Sequence, residues 1–496
     1  MVKIVVTPTS FRVATTFHQT LCDFPSLSIF HYTKMLNELK WDFKQQRMVV
    51  YKHYYYRNPT DGMTFFPKYD LPRFLRFLKS NGVGYELIKK EPAIGKDVTI
   101  PIQSWYSPRN SLQKEAIDFI TKGDGWVRGL SLQPGAGKTS ISLVSAALLG
   151  KRVLIKTPIL MNQWENAIHK FLDLKKEDVY VISGKSSILY LIEAIDKEIF
   201  PKIIIASLQT LRAYAQKEPP YDSLLPIENL LEHIGVGTVI SDEVHLHFHT
   251  NLMLDLMLNA RVHIPMTATY EVTEKQIAPI FNGHYPPNIR FGEDRYEKYV
   301  HVSAYFYDLP YQQIPVSKFR TVNGYNHSLM EKFFLKKKKL FDMVIEKVYY
   351  PILEAEYFSQ HLKGEKLLII VSLIEMCEYL CKIFRNDYPD KVVNKFVGKT
   401  HEKVKEESDI IIATAKSAGV GFDVPHLLTT FVTIPIDSPP LNKQLLGRLR
   451  KLDNRCPRLA YVTCRQLDSH MSYARTRSII FPNLAAEFKE QYIGHV

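Results

Sequence analysis

The stretch 129–140 constrains the fold of this chain more than any other feature. It reads Gly-Leu-Ser-Leu-Gln-Pro-Gly-Ala-Gly-Lys-Thr-Ser, which predicts a short strand, a glycine turn and the first turn of a helix. Gly135 and Gly137 allow backbone N–H groups to surround a phosphate, and the helix N-terminus adds partial positive charge. Lys138 can reach the β- and γ-phosphates of a nucleotide, and the Thr139 hydroxyl can ligate Mg²⁺. We therefore predict a phosphate-binding loop; a plain glycine turn between a core strand and a core helix is the alternative.

Two neighbouring residues bear on this loop. The strict motif places glycine five residues before Gly137, where this chain has Leu132. Upstream, Gln113 follows a predicted helix start at Ser111, and its amide offers the paired donor and acceptor that would read an adenine edge. This interpretation of Gln113 depends on the loop that follows it.

Charge and composition narrow the class of partner. The chain has 496 residues and a net charge of +13, which suits a polyanion such as nucleic acid, although ordinary solubility charge is the alternative. Residues 1–100 hold 15 Lys and Arg against 8 Asp and Glu, so the surplus is concentrated there. No stretch is apolar enough to span a membrane, and the five scattered cysteines fit a reducing compartment. We expect a cytoplasmic protein without a membrane partner.

A pair of acids follows the strand predicted over 237–240. Asp242 and Glu243 come about a hundred residues after the phosphate loop, in the same run of strands. Asp242 would hold Mg²⁺, and Glu243 would orient and deprotonate an attacking water. The alternating histidines at 245, 247 and 249 leave a metal site as an alternative, but no fourth ligand lies nearby.

Hydroxyl and amide side chains follow further predicted strands. Two such segments are Thr157 with Pro158, and Ser207 with Gln209 and Thr210. Because the carboxyl ends of parallel strands share one edge of an open α/β sheet, these groups can hold a nucleic-acid backbone there. Plain capping of the next helix is the alternative. A later hydroxyl pair, Thr267 with Thr269, could contact the acids and pass on the state of the γ-phosphate, and a polar turn is its alternative. Strands alternate with helices from 127 to 269, which predicts one doubly wound parallel domain.

A second α/β unit is predicted in the C-terminal part of the chain, after a long helix over 329–352. Two of its strands end at Ser372 and Thr414, and a loop of glycines that ends in Asp423 comes next. A helix then carries Gln444 and Arg448. An arginine directed at a γ-phosphate would stabilise the charge of the transition state. A basic surface helix is the alternative.

Residues 1–95 predict a small α/β domain with helices over 31–39 and 71–80. Cations are interleaved with its aromatic residues, which are Tyr54, Tyr55, Tyr56, Phe65 and Phe66. Two interpretations remain open for these rings: they stack on nucleic-acid bases beside phosphate-binding cations, or they fill a small core.

The ordered motifs resemble helicase superfamily two, in its DExH branch. The segments that carry the resemblance are Gln113, Gln-Pro-Gly-Ala-Gly-Lys-Thr at 133–139, Thr-Pro-Ile-Leu and Gln-Trp within 157–164, Asp-Glu-Val-His at 242–245, Thr-Ala-Thr at 267–269, Gly-Val-Gly-Phe-Asp at 419–423, and Gln with Gly-Arg at 444–448. The resemblance covers about residues 105–465. It implies tandem RecA-like lobes, each a doubly wound parallel sheet, that close on ATP and move along one nucleic-acid strand.

The resemblance implies a role for each matching residue. Catalytic roles fall on Lys138, Asp242, Glu243, Gln444, Arg448 and Arg450. Contacts with ATP fall on Gln113, Gly135, Gly137, Lys138, Thr139, Ser140 and Asp423, and Thr139 and Asp242 would ligate Mg²⁺. Nucleic-acid contacts fall on Thr157, Pro158, Ser207, Gln209, Thr210, Ser372, Thr414 and Lys416. The residues that would couple hydrolysis to lobe movement are His245, Thr267 and Thr269. The family has a second arginine where this chain has Lys451, so either Arg450 or Lys451 would supply that charge.

Within this family the chain is similar to the phage recombination helicases of the UvsW type, which resemble RecG-type enzymes in remodelling branched DNA. The similarity implies an accessory DNA-binding domain over 1–98, a first RecA-like lobe over 99–290, and a connector with the second lobe over 291–496. It implies a monomeric, DNA-stimulated ATPase of the host cytoplasm that migrates junctions and reverses forks in phage replication, recombination and repair, with other proteins of those processes as further candidate partners. An RNA or RNA–DNA hybrid helicase, or a nucleotide-gated DNA-binding protein, is the alternative.

Overall fold

The computed structural model divides the chain into two compact units, Met1–Arg295 and Tyr296–Val496. It describes all residues except 43, 59–60, 159–160, 198–200, 216–224, 273, 275, 294, 311–314, 322–323, 399, 401–402, 419–423 and 453–454. Within the described residues, no helix combines the length and the apolar character that a membrane crossing requires.

The first unit begins with a five-stranded sheet and two small antiparallel hairpins. The strands are β1 Val2–Val6, β2 Ser10–Ala14, β3 Thr20–Leu21, β4 Phe24–Ser28, β5 Asn37–Asp42, β6 Arg47–His53, β7 Tyr56–Arg57, β8 Met63–Pro67 and β9 Tyr85–Lys89, and the helices are α1 Phe30–Thr33 and α2 Leu71–Ser80. The sheet order is β7-β8-β2-β1-β9, and β1 pairs parallel with β9. Strands β3 and β4 form one hairpin, and β5 and β6 form the other. The helix predicted over 71–80 is confirmed.

The helix predicted over 31–39 is wrong in its second half. Helix α1 ends at Thr33, a 3₁₀ turn covers Lys34–Leu36, and the chain then enters β5. Strand β5 forms because it pairs along its whole length with β6. This tertiary pairing overrides the short helical pattern.

The aromatic residues of this region form its core. Tyr54, Tyr55, Phe65 and Phe66 are at most 6% exposed, and Phe66 stacks on Phe11 with ring centroids 5.1 Å apart. A buried ring cannot stack on a base, so the core interpretation is correct for these four residues and the base-stacking interpretation is wrong.

This core continues into the sheet that follows. Phe248 lies in the same hydrophobic cluster, and its ring stacks on Tyr54 at 5.9 Å. The Thr9 hydroxyl donates to the Asp255 carbonyl at 2.6 Å, and His249 Nε2 lies 2.8 Å from the His53 carbonyl. The predicted domain limits at 98 and 290 stay predictions, but residues on both sides of position 98 share one core.

The first large sheet has seven parallel strands. Its strands are β10 Gly129–Ser131, β11 Val153–Thr157, β12 Val179–Ile182, β13 Ile203–Ser207, β14 Thr238–Ser241, β15 Val262–Thr267 and β16 Arg290–Phe291. Its helices are α3 Ser111–Lys122, α4 Lys138–Leu149, α5 Met161–Phe171, α6 Lys185–Asp196, α7 Leu208–Ala215, α8 Ile227–His233, α9 Phe248–Met257 and α10 Ala278–His284. The order is β12-β13-β11-β14-β15-β10-β16, and the central strands β11, β14 and β15 are buried along their whole length because helices cover both faces.

The second unit contains another seven-stranded parallel sheet, ordered β21-β22-β20-β23-β24-β17-β25. The strands are β17 His301–Asp308, β18 Arg320–Thr321, β19 Gly324–Tyr325, β20 Lys366–Val371, β21 Val393–Phe396, β22 Ile410–Thr414, β23 Leu427–Val432, β24 Arg458–Cys464 and β25 Glu487–His495. The helices are α11 His327–Lys336, α12 Lys338–Val344, α13 Tyr350–Leu353, α14 Ile374–Asp387, α15 Val404–Glu407, α16 Pro439–Leu446 and α17 Asp468–Leu484. The prediction of a single helix over 329–352 is wrong. The helix is interrupted at Lys337, and π-helical turns follow at Ile345–Tyr349 and Glu354–Phe358.

These two parallel sheets confirm the predicted fold class. Each unit has the doubly wound α/β architecture of a RecA-like lobe, and the smaller mixed sheet precedes the first.

Candidate nucleotide and nucleic-acid site

The phosphate-binding loop lies between β10 and α4. Gly135 and Gly137 have φ of 85° and 94°, in the left-handed region that favours glycine. A Cβ atom on Gly137 would lie 2.4 Å from the Gln113 amide nitrogen, so a side chain at this position would collide with its neighbour. The Ser140 hydroxyl donates to the Gly137 carbonyl at 2.9 Å and fixes the first turn of α4. The predicted strand, glycine turn and helix start are therefore present.

The Gln113 side chain braces this loop. Its Nε2 donates to the Ala136 carbonyl at 2.8 Å, and its Oε1 accepts from the Arg109 backbone N–H at 2.9 Å. Asn110 caps α3 by accepting from the Gln113 backbone N–H at 3.0 Å. Gln113 is 2% exposed, so it supports the loop from within the protein. Its predicted contact with adenine stays a prediction.

Asp242 lies one residue beyond β14 and is held by neighbouring side chains. Its Oδ2 accepts from Trp164 Nε1 at 3.0 Å, and the Thr157 hydroxyl lies 3.5 Å from the same oxygen. Burial and the adjacent Glu243 carboxylate raise the pKa of Asp242 to about 7, whereas the Trp164 hydrogen bond and the Lys138 ammonium act in the opposite direction. The phosphate-loop lysine therefore lies within electrostatic reach of this acid.

Glu243, His245, Thr267 and Thr269 form one continuous chain of polar contacts. His245 Nδ1 lies 3.4 Å from Glu243 Oε2 and 2.7 Å from Thr267 Oγ1. Thr267 Oγ1 donates to the Thr269 carbonyl at 3.0 Å. Burial, with a smaller effect of Lys138, lowers the pKa of His245 to about 4, so its imidazole is neutral near pH 7. The three predicted coupling residues thus connect the acid of β14 to the end of β15.

The backbone of Glu243 is itself unusual. Its φ of 44° lies in the left-handed region, which costs a non-glycine residue about 1–3 kcal/mol. The turn brings the side chain towards His245. Strain of this kind persists where the surrounding structure holds the residue in place.

The hydroxyls at the ends of β11 and β13 lie side by side, because Thr157 pairs with Ser207 in the parallel register. Ser207 Oγ lies 2.8 Å from Thr210 Oγ1 and accepts from the Thr210 backbone N–H at 3.1 Å. Thr157 is fully buried against Asp242. Ser207 and Thr210 therefore cap α7 and remain partly exposed, whereas Thr157 has no solvent-facing side chain.

A buried charged network, which sequence reasoning missed, underlies this edge of the sheet. Lys156 Nζ forms an ion pair with Asp255 Oδ1, and both side chains are at most 1% exposed. Asp255 Oδ2 accepts from Tyr285 OH at 2.7 Å and lies 3.1 Å from His284 Nε2. His263 Nε2 lies 2.8 Å from Ser241 Oγ.

This network adjoins the predicted site residues. Its members are Lys156, Ser241, Asp255, His263, His284 and Tyr285. Lys156 precedes Thr157, and Ser241 precedes Asp242. The only sequence signal is a lysine within an otherwise apolar strand, which indicates a buried partner but does not identify it.

The second unit places its predicted residues at the corresponding edge. Strands β20 and β22 are neighbours, and Ser372 and Thr414 lie at their carboxyl ends. The Glu331 carboxylate accepts from the backbone N–H groups of Ser372 and Leu373, both at 2.7 Å. Burial raises the pKa of Glu331 to about 7. Lys416 is exposed.

The Gln444 and Arg448 segment runs from α16 into the turn that follows it. Arg448 is 7% exposed, and Arg450 Nη1 lies 3.5 Å from the Gly447 carbonyl. Lys451 forms a surface ion pair with Glu297. Asp423, predicted to contact the nucleotide, lies outside the described residues.

The alternative of a histidine metal site is not supported. Among the described residues, no group of three or more His, Cys, Asp or Glu side chains is arranged to hold a metal ion. The oxygens of Thr139 and Asp242 are instead the hard donors that Mg²⁺ prefers. The residues present therefore fit a magnesium nucleotide.

Comparison with known proteins agrees with this site. Residues 108–272 match the family model "Type III restriction enzyme, res subunit". No curated protein matches the chain at a significant level.

Among solved structures, matches extend over most of the chain. T4 UvsW is 13% identical, with 99% of each chain covered and a TM-score of 0.35. The Pyrococcus furiosus Hef helicase domain is 15% identical, with 75% of this chain and 98% of that chain covered and a TM-score of 0.44. The Saccharomyces cerevisiae protein Dbp5, bound to RNA and ADP BeF3, is 10% identical, with 79% and 90% covered and a TM-score of 0.48.

With such TM-scores, the assignment depends on the matched segment, the motifs and the geometry of the site. Together they support a superfamily-two helicase, an ATP-dependent enzyme with tandem RecA-like lobes.

Proposed function

We propose that this chain is a DNA-stimulated ATPase that moves along DNA and remodels branched or forked DNA in phage replication, recombination and repair. The observation that carries the proposal is the continuous contact from Glu243 through His245 to Thr267 and Thr269, beside a lysine-bearing phosphate loop. Through these contacts, a change at Glu243 during hydrolysis can be transmitted to the edge of the sheet where nucleic acid would lie.

In this proposal the phosphate loop binds ATP. Backbone N–H groups of the loop surround the phosphates, and Lys138 exchanges its present hydrogen bond to the Leu132 carbonyl, 2.8 Å long, for phosphate oxygens. Thr139 and Asp242 would hold Mg²⁺, which neutralises phosphate charge when it is bound. The pKa of Asp242 is raised by its burial and, to a smaller extent, by repulsion from Glu243, and the charge of a divalent cation would offset both effects.

Glu243 is the proposed general base. It is the acid closest to His245, and its strained backbone directs the carboxylate towards that side chain. Glu243 accepts the proton of the attacking water, and neutral His245 transmits the change to Thr267. Gln444, Arg448 and either Arg450 or Lys451 are proposed to bind the γ-phosphate during the reaction.

Nucleic acid is proposed to bind at the carboxyl edges of the sheets. In the first unit, Ser207, Gln209 and Thr210 would contact the phosphate backbone, whereas the buried Thr157 and Pro158 would support this edge from within the protein. In the second unit, Ser372, Thr414 and Lys416 would make such contacts. DNA is favoured over RNA by the similarity to the UvsW type described above. Contacts of this kind are made to the backbone, so an RNA or RNA–DNA hybrid substrate is the second candidate.

The test is ATP turnover by the full chain with no nucleic acid, single-stranded DNA, blunt duplex, a four-way junction, or RNA. Strongest stimulation by the junction is the expected result. Stimulation by RNA alone would replace the proposal with the second candidate. DNA binding without turnover on any substrate would indicate a nucleotide-gated binding protein instead.

A further inference from the structure

The β5–β6 hairpin carries an apolar surface that faces solvent. Cross-strand pairs Leu39–Val50 and Trp41–Met48 lie on one side of the two-stranded sheet. These four side chains, here called the hairpin face, are 42–53% exposed. Among the described residues, none of the four belongs to a hydrophobic core cluster.

Folding does not explain such a face. A lone two-stranded hairpin is marginally stable in water, and four apolar side chains that stay about half exposed contribute only part of the burial that would stabilise it. Natural proteins usually cover or charge such edges and faces. An exposed apolar face that includes an indole is instead typical of a surface that receives another flat apolar group.

Cations lie near the hairpin face. Lys44 and Arg47 are exposed near the end of the hairpin, and on the opposite side of the two-stranded sheet Lys40 Nζ lies over the Tyr51 ring, 3.6 Å from its centroid.

The two acids of the hairpin are engaged within it. The buried Glu38 carboxylate lies 3.3 Å from Lys40 Nζ and 3.5 Å from Lys52 Nζ. Asp42 Oδ1 accepts from the backbone N–H groups of Lys44 and Gln45 at 2.8 and 3.1 Å. The charge offered to a partner near the end of the hairpin is therefore positive.

We propose that the β5–β6 hairpin binds the unpaired nucleotides at a DNA branch point: bases stack on the hairpin face, and phosphates pair with Lys44 and Arg47. This assignment rests on the proposed function, which supplies the substrate. Single-stranded DNA offers both π faces and negative charge, and a basic element with an exposed indole matches both. A protein partner would be matched by the apolar face alone, so the cations favour nucleic acid.

The hairpin is also joined to the nucleotide site. At the end of β6, the His53 carbonyl lies 2.8 Å from His249 Nε2, and the next residue, Tyr54, stacks on Phe248. Phe248 and His249 open the helix that begins three residues after His245. The end of the hairpin next to His53 therefore contacts the helix that follows the His245 segment.

The test uses full-length variants and three DNAs of common sequence: a blunt duplex, a single strand, and a fork with 2-aminopurine in its unpaired arm. We expect Trp41→Ala to weaken binding of the fork and the single strand by about 5- to 150-fold, the fold-change expected for one lost base stack. The quenching of 2-aminopurine should be lost with it. Trp41→Phe keeps a π face and should recover most of both, and blunt-duplex affinity should change little.

Phe17→Ala is the control, since Phe17 is an aromatic residue outside the hairpin that is even more exposed than Trp41. The proposal is overturned if Trp41→Ala and Phe17→Ala bind the fork alike, which is also the result expected for a protein-docking face. Loss of blunt-duplex affinity equal to the loss for the fork would overturn it too.

A second variant avoids any folding defect of Trp41→Ala. Lys44→Gln with Arg47→Gln should lower the slope of log affinity against log salt by about 0.7 per cation on single-stranded DNA. An unchanged slope would exclude phosphate contacts here. Wild-type protein that binds the fork but shows no DNA-stimulated ATP turnover would contradict the proposed function and leave the hairpin assignment standing.

Discussion

Asp255→Asn should destabilise the first unit strongly. Asn keeps the shape of the side chain and can still accept from Tyr285, but it cannot balance the Lys156 ammonium, which is 0% exposed. Leaving a buried charge without its partner costs about 3–5 kcal/mol. For a domain of this size about 1 kcal/mol shifts the melting temperature by roughly 2–4 °C, so a decrease of about 6–20 °C is expected.

Differential scanning calorimetry of the full chain measures this effect. Asp97→Asn is the control, because it removes an ion pair with Lys151 in which Asp97 is 87% exposed, and it should leave the transition unchanged. Adding Lys156→Met to Asp255→Asn removes the unbalanced charge and should recover part of the stability. If Asp255→Asn melts like the wild type, the network does not stabilise the sheet and our interpretation of it is wrong.

Two further predictions concern the histidines and the coupling chain. His245→Ala should retain ATP binding and part of the DNA-stimulated turnover but lose most strand separation per ATP. His247→Ala, at an exposed position, should resemble the wild type. Equal strand separation per ATP in both variants would exclude the coupling role. The pKa of His245 and of His263 is lowered to about 4, from about 6.5 when unfolded, so the stability that each contributes is complete above pH 6.5 and is lost as the pH falls towards 4, by up to about 3 kcal/mol each. The raised pKa values of Asp242 and Glu331 have the opposite effect below pH 7, but the pKa values of His249, His327 and His470 are lowered as well, so melting temperatures should decrease from pH 6.5 to 4.5. An increase would contradict these assignments.

The nucleotide site was largely predictable from the sequence because its residues follow apolar strands directly. Parallel strands bring their carboxyl ends to one edge, so Lys138, Asp242 and Thr267 are close in space wherever the strands lie in one sheet. The contact between His245 and Thr267, 22 residues apart, follows from the pairing of β14 with β15.

Features that depend on tertiary partners were not predictable. Lys156 and Asp255 are 99 residues apart, and the sequence around each residue does not identify the other as its ion-pair partner. Trp41 and its neighbours were not predicted to stack on bases, because the helical pattern of 31–39 predicted a helix where strand β5 begins. Tyr54 and Phe66 were candidates for stacking because aromatic content alone does not distinguish a core from a binding surface.

The shared core also changes how the N-terminal region should be tested. Deleting residues 1–98 would expose Phe248, Leu252 and Phe281, which pack in the same hydrophobic cluster. A loss of DNA binding by such a variant could then come either from the missing N-terminal region or from damage to the first lobe. Point variants on the hairpin face avoid this problem.

The most direct test of the motor is ATP turnover of wild type and Glu243→Gln with saturating forked DNA, with nucleotide binding measured on the same samples. A general base contributes about 10²- to 10⁴-fold, so turnover should decrease by at least about 100-fold while nucleotide affinity is retained. Lys138→Ala should lose nucleotide affinity as well, which separates binding from chemistry. Turnover by Glu243→Gln close to that of the wild type would contradict the proposed mechanism, because the acid at the start of the coupling chain would then play no part in hydrolysis.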